Sequence, residues 1–442
     1  MSQQSGTIKI GLGDSIITPC ENLQLRGFAR SQVATGTHDD LHARSIVVED
    51  TRGKSVCIMS LAIVYIDRQL VERIRREISG KTGIPEDAIL LSCTHTHSGP
   101  FVEEAPESYR EFLVDQAVKS AVDAWESRFP GRIGIDSTEV MELGRNRRRL
   151  LHGGIHPDPQ VPLIKIEDLD GKLRGVLFNY GCHPSSLDWQ NRLYSEDWPY
   201  YAIEGLREKL GEDVWICYLQ SAQGDINTGY ASELSAVGVD MPVRTYWYIE
   251  IKGKQMTDAV SGALPEVETV DSLTVEAATA RYDFPLRKSF SVTLEEAEKE
   301  TAAADEKLAD MEAKPEYAGT RKLDYVRLEH FSAHQRHGFA KRFYSGDFPD
   351  AEEIELQAIR IGDAVFFSLP GEVFSEIALA VKKQSPCAKT YAAGVANGFY
   401  GYMPKATDFI EGDYEVDGCK YSPDAERVMI ESALDVIGRL GG

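Results

Sequence analysis

The sequence predicts an α/β fold, a mixed central sheet flanked by helices with reactive residues beyond the carboxyl ends of its strands. Three observations predict it. Apolar runs of strand length alternate with stretches of helical period. Four of those runs end in His, Asp or Glu. No internal repeat is apparent, and the 442 residues, 42% apolar and 27% charged, suit one large composite domain.

Strand-like runs fall at 45–50, 55–66, 88–93, 161–167, 174–181, 213–219, 356–361 and 363–369. The stretch 67–79 carries Leu70, Val71, Ile74 and Ile78 on one helical stripe, with Gly80 as the expected stop. Residues 107–125 repeat the pattern with Leu113, Val114, Ala117, Val118, Ala121 and Val122. So do 373–383, through Phe374, Ile377 and Val381, and 424–440, through Met429, Ala433, Ile437 and Leu440. One region departs from alternation. Residues 293–314 open on a capping box, Thr293 and Glu296, and continue as a charged helix rich in Ala, Glu and Lys. With the aromatic segment around 231–250 it marks roughly 230–350 as an insertion or cap on a single composite domain, 1–442, and 293–314 as a solvated helix without part in chemistry.

Net charge of −22 excludes nucleic acid and anionic membrane surfaces as partners, since both require a positive face. The local cluster Arg145, Arg147, Arg148 and Arg149 does not reverse that balance. The longest near-apolar run, Ser55 to Ile66, is too short to span a bilayer, and the first residues lack the pattern of a signal peptide. Seven cysteines, scattered and without CxxC spacing, read as free thiols, with Cys57, Cys93 and Cys217 in buried runs. A cytoplasmic protein acting on a small molecule is the expectation, and composition leaves a homo-oligomer open.

"ILLSC" runs into Thr94-His95-Thr96-His97, "GVLFNYGC" into His183-Pro184, "VWICYLQ" into Gln223-Gly224-Asp225, and "AVFFSLP" into Gly371-Glu372. Ligands of α/β sheets collect beyond such strand ends. Two neutral imidazoles and a carboxylate are a ligand set that holds hydrolytic zinc with a position left for water. In an extended segment His95 and His97 point to one side, so one can bind metal while the other faces substrate. The remaining histidines, His38, His42, His152, His156, His330, His334 and His337, read as surface or loop residues. Competing structural roles exist for several candidates: a helix-terminal carboxylate for Glu372, a turn brace for Asp225, surface solvation for Arg147 and aromatic packing for Tyr402. HxH also occurs in amidohydrolase barrels and in cupins. The first needs further histidines, a lysine and an aspartate at later strand ends; the second needs a glutamate after the pair, where only Glu103 comes close.

At these residues the sequence resembles the neutral, non-lysosomal ceramidase family in its N-terminal catalytic domain. "SCTHTHSGP", "NYGCHPSSL", "LPGEVFSEIALAV" and "GVANGFYGYMPKATDFIEGDYE" carry the resemblance in the family's order. Weaker matches are "GRNR", "DPQVPLIKIED" and "GFARSQVATGTHDDLHARSIVV". The resemblance implies one zinc ion per chain, held by His95, His183, Glu372 and Tyr402, with His97, Arg147 and Tyr414 contacting the reacting amide or its oxyanion. It also implies that zinc lowers the pKa of its water and polarises a carbonyl. Where the family has "GDVSPN" this chain reads "GDINTG", which puts Asn227 at the serine position. Asn227 donates hydrogen bonds but cannot act as a nucleophile. The expected function is zinc-dependent hydrolysis of an amide, or of an ester or lactone, by metal-activated water, on a substrate other than bilayer ceramide. The alternative is a catalytically silent binding protein that keeps the metal pocket.

Overall fold

The computed structural model describes residues 6–28, 33–231, 244–288, 292–318, 320–345 and 349–441. Parts of the predicted 230–350 cap and of the segment beginning at Gly27 therefore lie outside the described residues.

The main sheet has eight strands: β1 (Lys9–Ile16), β2 (His42–Glu49), β3 (Ser55–Leu61), β4 (Ile89–Cys93), β5 (Phe129–Glu139), β6 (Gln160–Asp168), β7 (Leu173–Tyr180) and β8 (Trp215–Gln220). Their spatial order is β8-β7-β6-β5-β1-β2-β3-β4. The centre is antiparallel and each edge is a parallel pair, β7 with β8 and β3 with β4. Each parallel pair needs a crossover, provided by α1 (Arg68–Thr82) between β3 and β4 and by α3 (Trp198–Leu210) between β7 and β8. A second sheet, β9 (Val275–Pro285), β10 (Ala351–Ile361), β11 (Ala364–Leu369) and β12 (Lys389–Gly394), repeats the device, because β11 and β12 are parallel. Their crossover is the helix Ser375–Gln384. The expected mixed α/β architecture is present, and the main sheet is open, which excludes a closed eight-stranded barrel.

The two sheets meet along β4 and β12. Ser92 bridges Ala396, the Cys93 amide donates to Val395 O at 3.1 Å, and Ser92 Oγ donates to Gly394 O at 2.7 Å. Asn179 Nδ2 reaches Leu219 O, Gln220 O and Ala392 O, each at 3.0 Å, tying the ends of β7 and β8 to β12. The carboxyl ends of all three parallel pairs thus open on one region.

Several expectations are corrected. Gly80 does not end α1: the helix begins on the Asp67 side-chain cap and runs to Thr82, where Gly83 closes it at φ 79°. Strands β1, β5, β9 and β12 were not expected. In β1, Gly11 and Gly13 interrupt the apolar alternation because α2 (Glu107–Glu126) lies directly on them. A Cβ at Gly11 would come 1.7 Å from Ala124 O, and one at Gly13 would come 1.9 Å from Ser120 O. The cap is smaller than 230–350. Helix α4 (Tyr246–Ala263) buries Ile249, Met256 and Val260 in the core under β6–β8, and β9 is integral to the second sheet. What stands outside is the helical hairpin α5 (Leu294–Glu312) and α6 (Arg321–Tyr344), which packs through Met311, Leu323 and Val326. The Thr293–Glu296 capping box is present.

Candidate active site

His95 and His97 follow β4, and the backbone there is not extended. His95 has φ 70°, a conformation that costs a non-glycine residue about 1–3 kcal/mol and that its neighbours must impose. The amides of Thr94 and His95 donate to Leu61 O and Ile63 O, and the His97 amide donates to Pro184 O at 3.0 Å. The two rings converge all the same, with centroids 5.2 Å apart. Gly27 makes room for His97, since a Cβ there would lie 2.3 Å from His97 Cγ.

His183 follows β7, fully buried. Its Nδ1–H donates to Ile226 O at 2.9 Å, and His95 Nδ1–H donates to Val64 O at 2.8 Å. With both Nδ1 positions tied to carbonyls, each Nε2 lone pair points inward. Both Nε2 atoms meet one oxygen of Glu372, 3.0 Å from His183 and 3.4 Å from His95. The three imidazoles of His95, His97 and His183 offer ligand atoms within 4.8 Å of one another, a possible metal site. Burial and the Arg147 charge push the His183 imidazole down to about 4, against the pull of Glu372. Burial alone would raise the Glu372 carboxyl, but the imidazoles of His95 and His183 hold it well below the usual carboxylate range.

Glu372 follows β11 and pairs in a short parallel ladder with Tyr402, beyond β12. The Tyr402 hydroxyl accepts from Arg147 Nη2 at 3.1 Å, and its ring meets Tyr414 edge-on at 5.7 Å. Arg147 is not a solvated surface residue. Its side chain is fully buried, with Nε donating to Glu415 Oε1 at 2.7 Å and Nη2 to Gly224 O at 2.8 Å. Burial pushes the Tyr414 phenol up, so it is protonated at neutral pH.

A cavity of about 270 Å³ opens on this cluster. His95, His97, Glu372, Tyr402 and Tyr414 line it, whereas Arg147 sits behind Tyr402 and His183 behind Glu372. Asn227 is elsewhere. Its Oδ1 accepts from the amides of Gly229 and Tyr230, and its Nδ2 donates to Tyr230 O, so the side chain braces its own turn. Asp225 likewise braces, accepting from the Ser375 amide at 2.8 Å and from Asn146 Nδ2 at 2.7 Å. Sequence reasoning missed the aromatic wall: Phe28, Tyr65 and Phe399, the last two stacked 4.0 Å apart, and Phe331 and Phe339 from α6. The i, i+4 and i+8 spacing of Phe331, Gln335 and Phe339 was the available signal.

His156, expected as a surface or loop residue, lies in the loop before β6 and is buried. Its Nε2–H donates to Gly181 O at 2.8 Å, and Nδ1 accepts from the Asp158 amide at 3.1 Å. Burial lowers its pKa from 6.5 to about 4. Between those values the unfolded chain binds the proton and the folded chain refuses it. The contribution is therefore complete above pH 6.5 and lost as pH falls toward 4, roughly 3–4 kcal/mol in all. Urea midpoints at pH 7 and pH 4.5 should show a smaller acid loss for His156→Gln than for wild type; an equal loss removes His156 as its source.

The fold is a mixed α/β domain with a histidine- and carboxylate-lined cavity at its strand ends. Residues 8–227, just under half of the chain, match the family model for the neutral/alkaline non-lysosomal ceramidase, N-terminal. Neutral ceramidase 1 of Arabidopsis thaliana is 27% identical over 220 residues, 42% of this chain and 27% of that protein. The neutral ceramidase of Pseudomonas aeruginosa is 28% identical over 220 residues, 44% of this chain and 32% of that protein. The matched stretch is thus about a third or less of these relatives' length. The crystal structure of the Pseudomonas aeruginosa neutral ceramidase has the same fold, with a TM-score of 0.72 at 20% identity, over 99% of this chain and 75% of that one. A ceramidase complexed with C2 superposes at TM-score 0.74 and 18% identity, over 98% and 75% of the two chains.

Proposed function

We propose that this domain is a zinc-dependent hydrolase of an amide, or of an ester or lactone, in a small-molecule substrate, with His95, His183, Glu372 and Tyr402 as ligands. The observation that carries the reading is the convergence of both Nε2 atoms on one Glu372 oxygen, with each Nδ1–H tied to a carbonyl. This donor set fits zinc, since neutral imidazoles and a carboxylate are its usual nitrogen and oxygen ligands. When bound, zinc supplies Lewis acidity and lowers the pKa of water toward neutrality.

The chain's own residues do the rest. Val64 O and Ile226 O hold the two imidazoles in the tautomer that leaves Nε2 available. Arg147 fixes the Tyr402 hydroxyl from behind. Tyr414 keeps its hydroxyl proton and lines the cavity, which suits donation to a carbonyl oxygen that gains charge. His97 faces the same cavity, packed edge-on to Phe28, and suits proton transfer to a leaving group. Phe28, Tyr65, Phe331, Phe339 and Phe399 select an apolar group beside the scissile bond. The cavity of about 270 Å³ is just below the usual size of ligand pockets, roughly 300–1,000 Å³, which favours a short apolar segment over a long acyl chain.

Purified protein kept from chelators should contain about one zinc per chain at the central site and turn over short-chain N-acyl substrates faster than long-chain ones. Glu372→Ala should abolish that turnover. Asn227 at the family's serine position favours the second reading, a silent binding protein. An amide and ester panel without any turnover in zinc-loaded wild type supports that reading and sinks the hydrolase.

A further inference from the structure

A second cluster of metal-ligating side chains lies outside this site, on the cap hairpin. His330 and His334 stand one turn apart on α6, and both Nε2 atoms lie 2.8 Å from Asp305 Oδ1 on α5. The two rings are 4.4 Å apart, and the three ligand atoms fall within 4.8 Å of one another. We propose that Asp305, His330 and His334 form a second metal site that takes a divalent ion of the zinc class and pins α5 to α6.

Three features carry the inference. Residues at i and i+4 lie on one face of a helix, so the His330 and His334 rings reach a common point without rearrangement. The third ligand comes from the facing helix, which makes the site a cross-link between elements and not a local turn. The side chains are 31% (His330), 46% (His334) and 52% (Asp305) exposed, leaving the remaining coordination positions to water. Two imidazoles and one carboxylate favour zinc, nickel or copper over magnesium or calcium, which prefer all-oxygen sites. Phe331 and Gln335 directly follow His330 and His334 on α6 and line the central cavity with Phe339. An ion between the hairpin helices therefore steadies a wall of that cavity without touching His95 or His183.

The test uses the full chain, stripped of metal and titrated with Zn²⁺ by calorimetry, with cobalt absorption as a second readout. Wild type should take up one equivalent more than His334→Ala, and affinity for that equivalent should fall at least tenfold in the variant. Alanine is a strong helix former at this exposed position, and circular dichroism checks that the hairpin persists. Zinc should also slow amide exchange across 294–312 and 321–344 in wild type and not in His334→Ala. Equal zinc uptake by folded wild type and His334→Ala overturns the site, and unchanged amide exchange overturns the bracing. The central site is read separately: His183→Ala that matches wild-type uptake sinks that reading alone, while His334→Ala one equivalent short supports the cap site whatever His183→Ala does.

Discussion

His183→Ala is expected to lose the central zinc and to reduce kcat/KM by about three orders of magnitude or more, the scale at which removing a group essential to the reaction is felt. His183 is fully buried, and its Nε2 is 3.0 Å from the Glu372 oxygen that also faces His95. Alanine removes one imidazole ligand and leaves Ile226 O without its ring donor. His97→Ala is the informative partner. If His97 serves proton transfer, its loss lowers kcat while zinc content stays at the wild-type level. If the three imidazoles themselves form the ligand set, His97→Ala loses zinc as His183→Ala does. Zinc content and kcat measured on the same preparations separate the two. Full activity in metal-free His183→Ala would contradict the proposed chemistry outright.

Arg147→Met is expected to destabilise the fold by about 3–5 kcal/mol, as breaking a buried ion pair on one side does. Arg147 and Glu415 both have fully buried side chains. Burial alone would raise the Glu415 carboxyl, but Arg147 and Arg148 hold it lowered. Without Arg147, Glu415 keeps Arg148, at 2.8 Å, as its ion-pair partner, while Gly224 O and the Tyr402 hydroxyl each lose a donor. The double variant Arg147→Met/Glu415→Leu should recover part of the loss, because no uncompensated charge then remains. Urea unfolding of the single and double variants measures both terms. A single-variant loss below about 1 kcal/mol would show that Glu415 is compensated without Arg147.

What the sequence reveals, and what it hides, has a physical basis in particular residues. Helix α1 is legible because Val71, Ile74 and Ile78 face the core at helical spacing, and Asp67 caps it. Its end is misjudged because Gly80 is tolerated within the helix, whereas only Gly83 takes the left-handed conformation. Strand β1 is obscured because Gly11 and Gly13 are there to admit the backbone of α2, a requirement set by a segment more than a hundred residues away. Strand β9 is masked by alanines and charges paired along β10. His95, His97, His183 and Glu372 are legible as strand ends, since runs such as Ile89–Cys93 stop abruptly in polar residues. The convergence of His97 with the other rings is not legible. It depends on the carbonyl of Pro184, on the missing Cβ of Gly27 and on the left-handed turn at His95. His156 is misread for a similar reason, because its partner Gly181 O lies on another strand end.

The seam between β4 and β12 has a consequence for how firmly the site is held. His95 and His183 belong to the main sheet, whereas Glu372 and Tyr402 follow strands of the second sheet. Their proper spacing exists only once Ser92, Cys93 and Asn179 have engaged the 392–396 segment. The site is therefore only as rigid as the seam: loosening the contacts of Ser92, Cys93 and Asn179 with 392–396 would part Glu372 and Tyr402 from His95 and His183 while leaving each sheet whole.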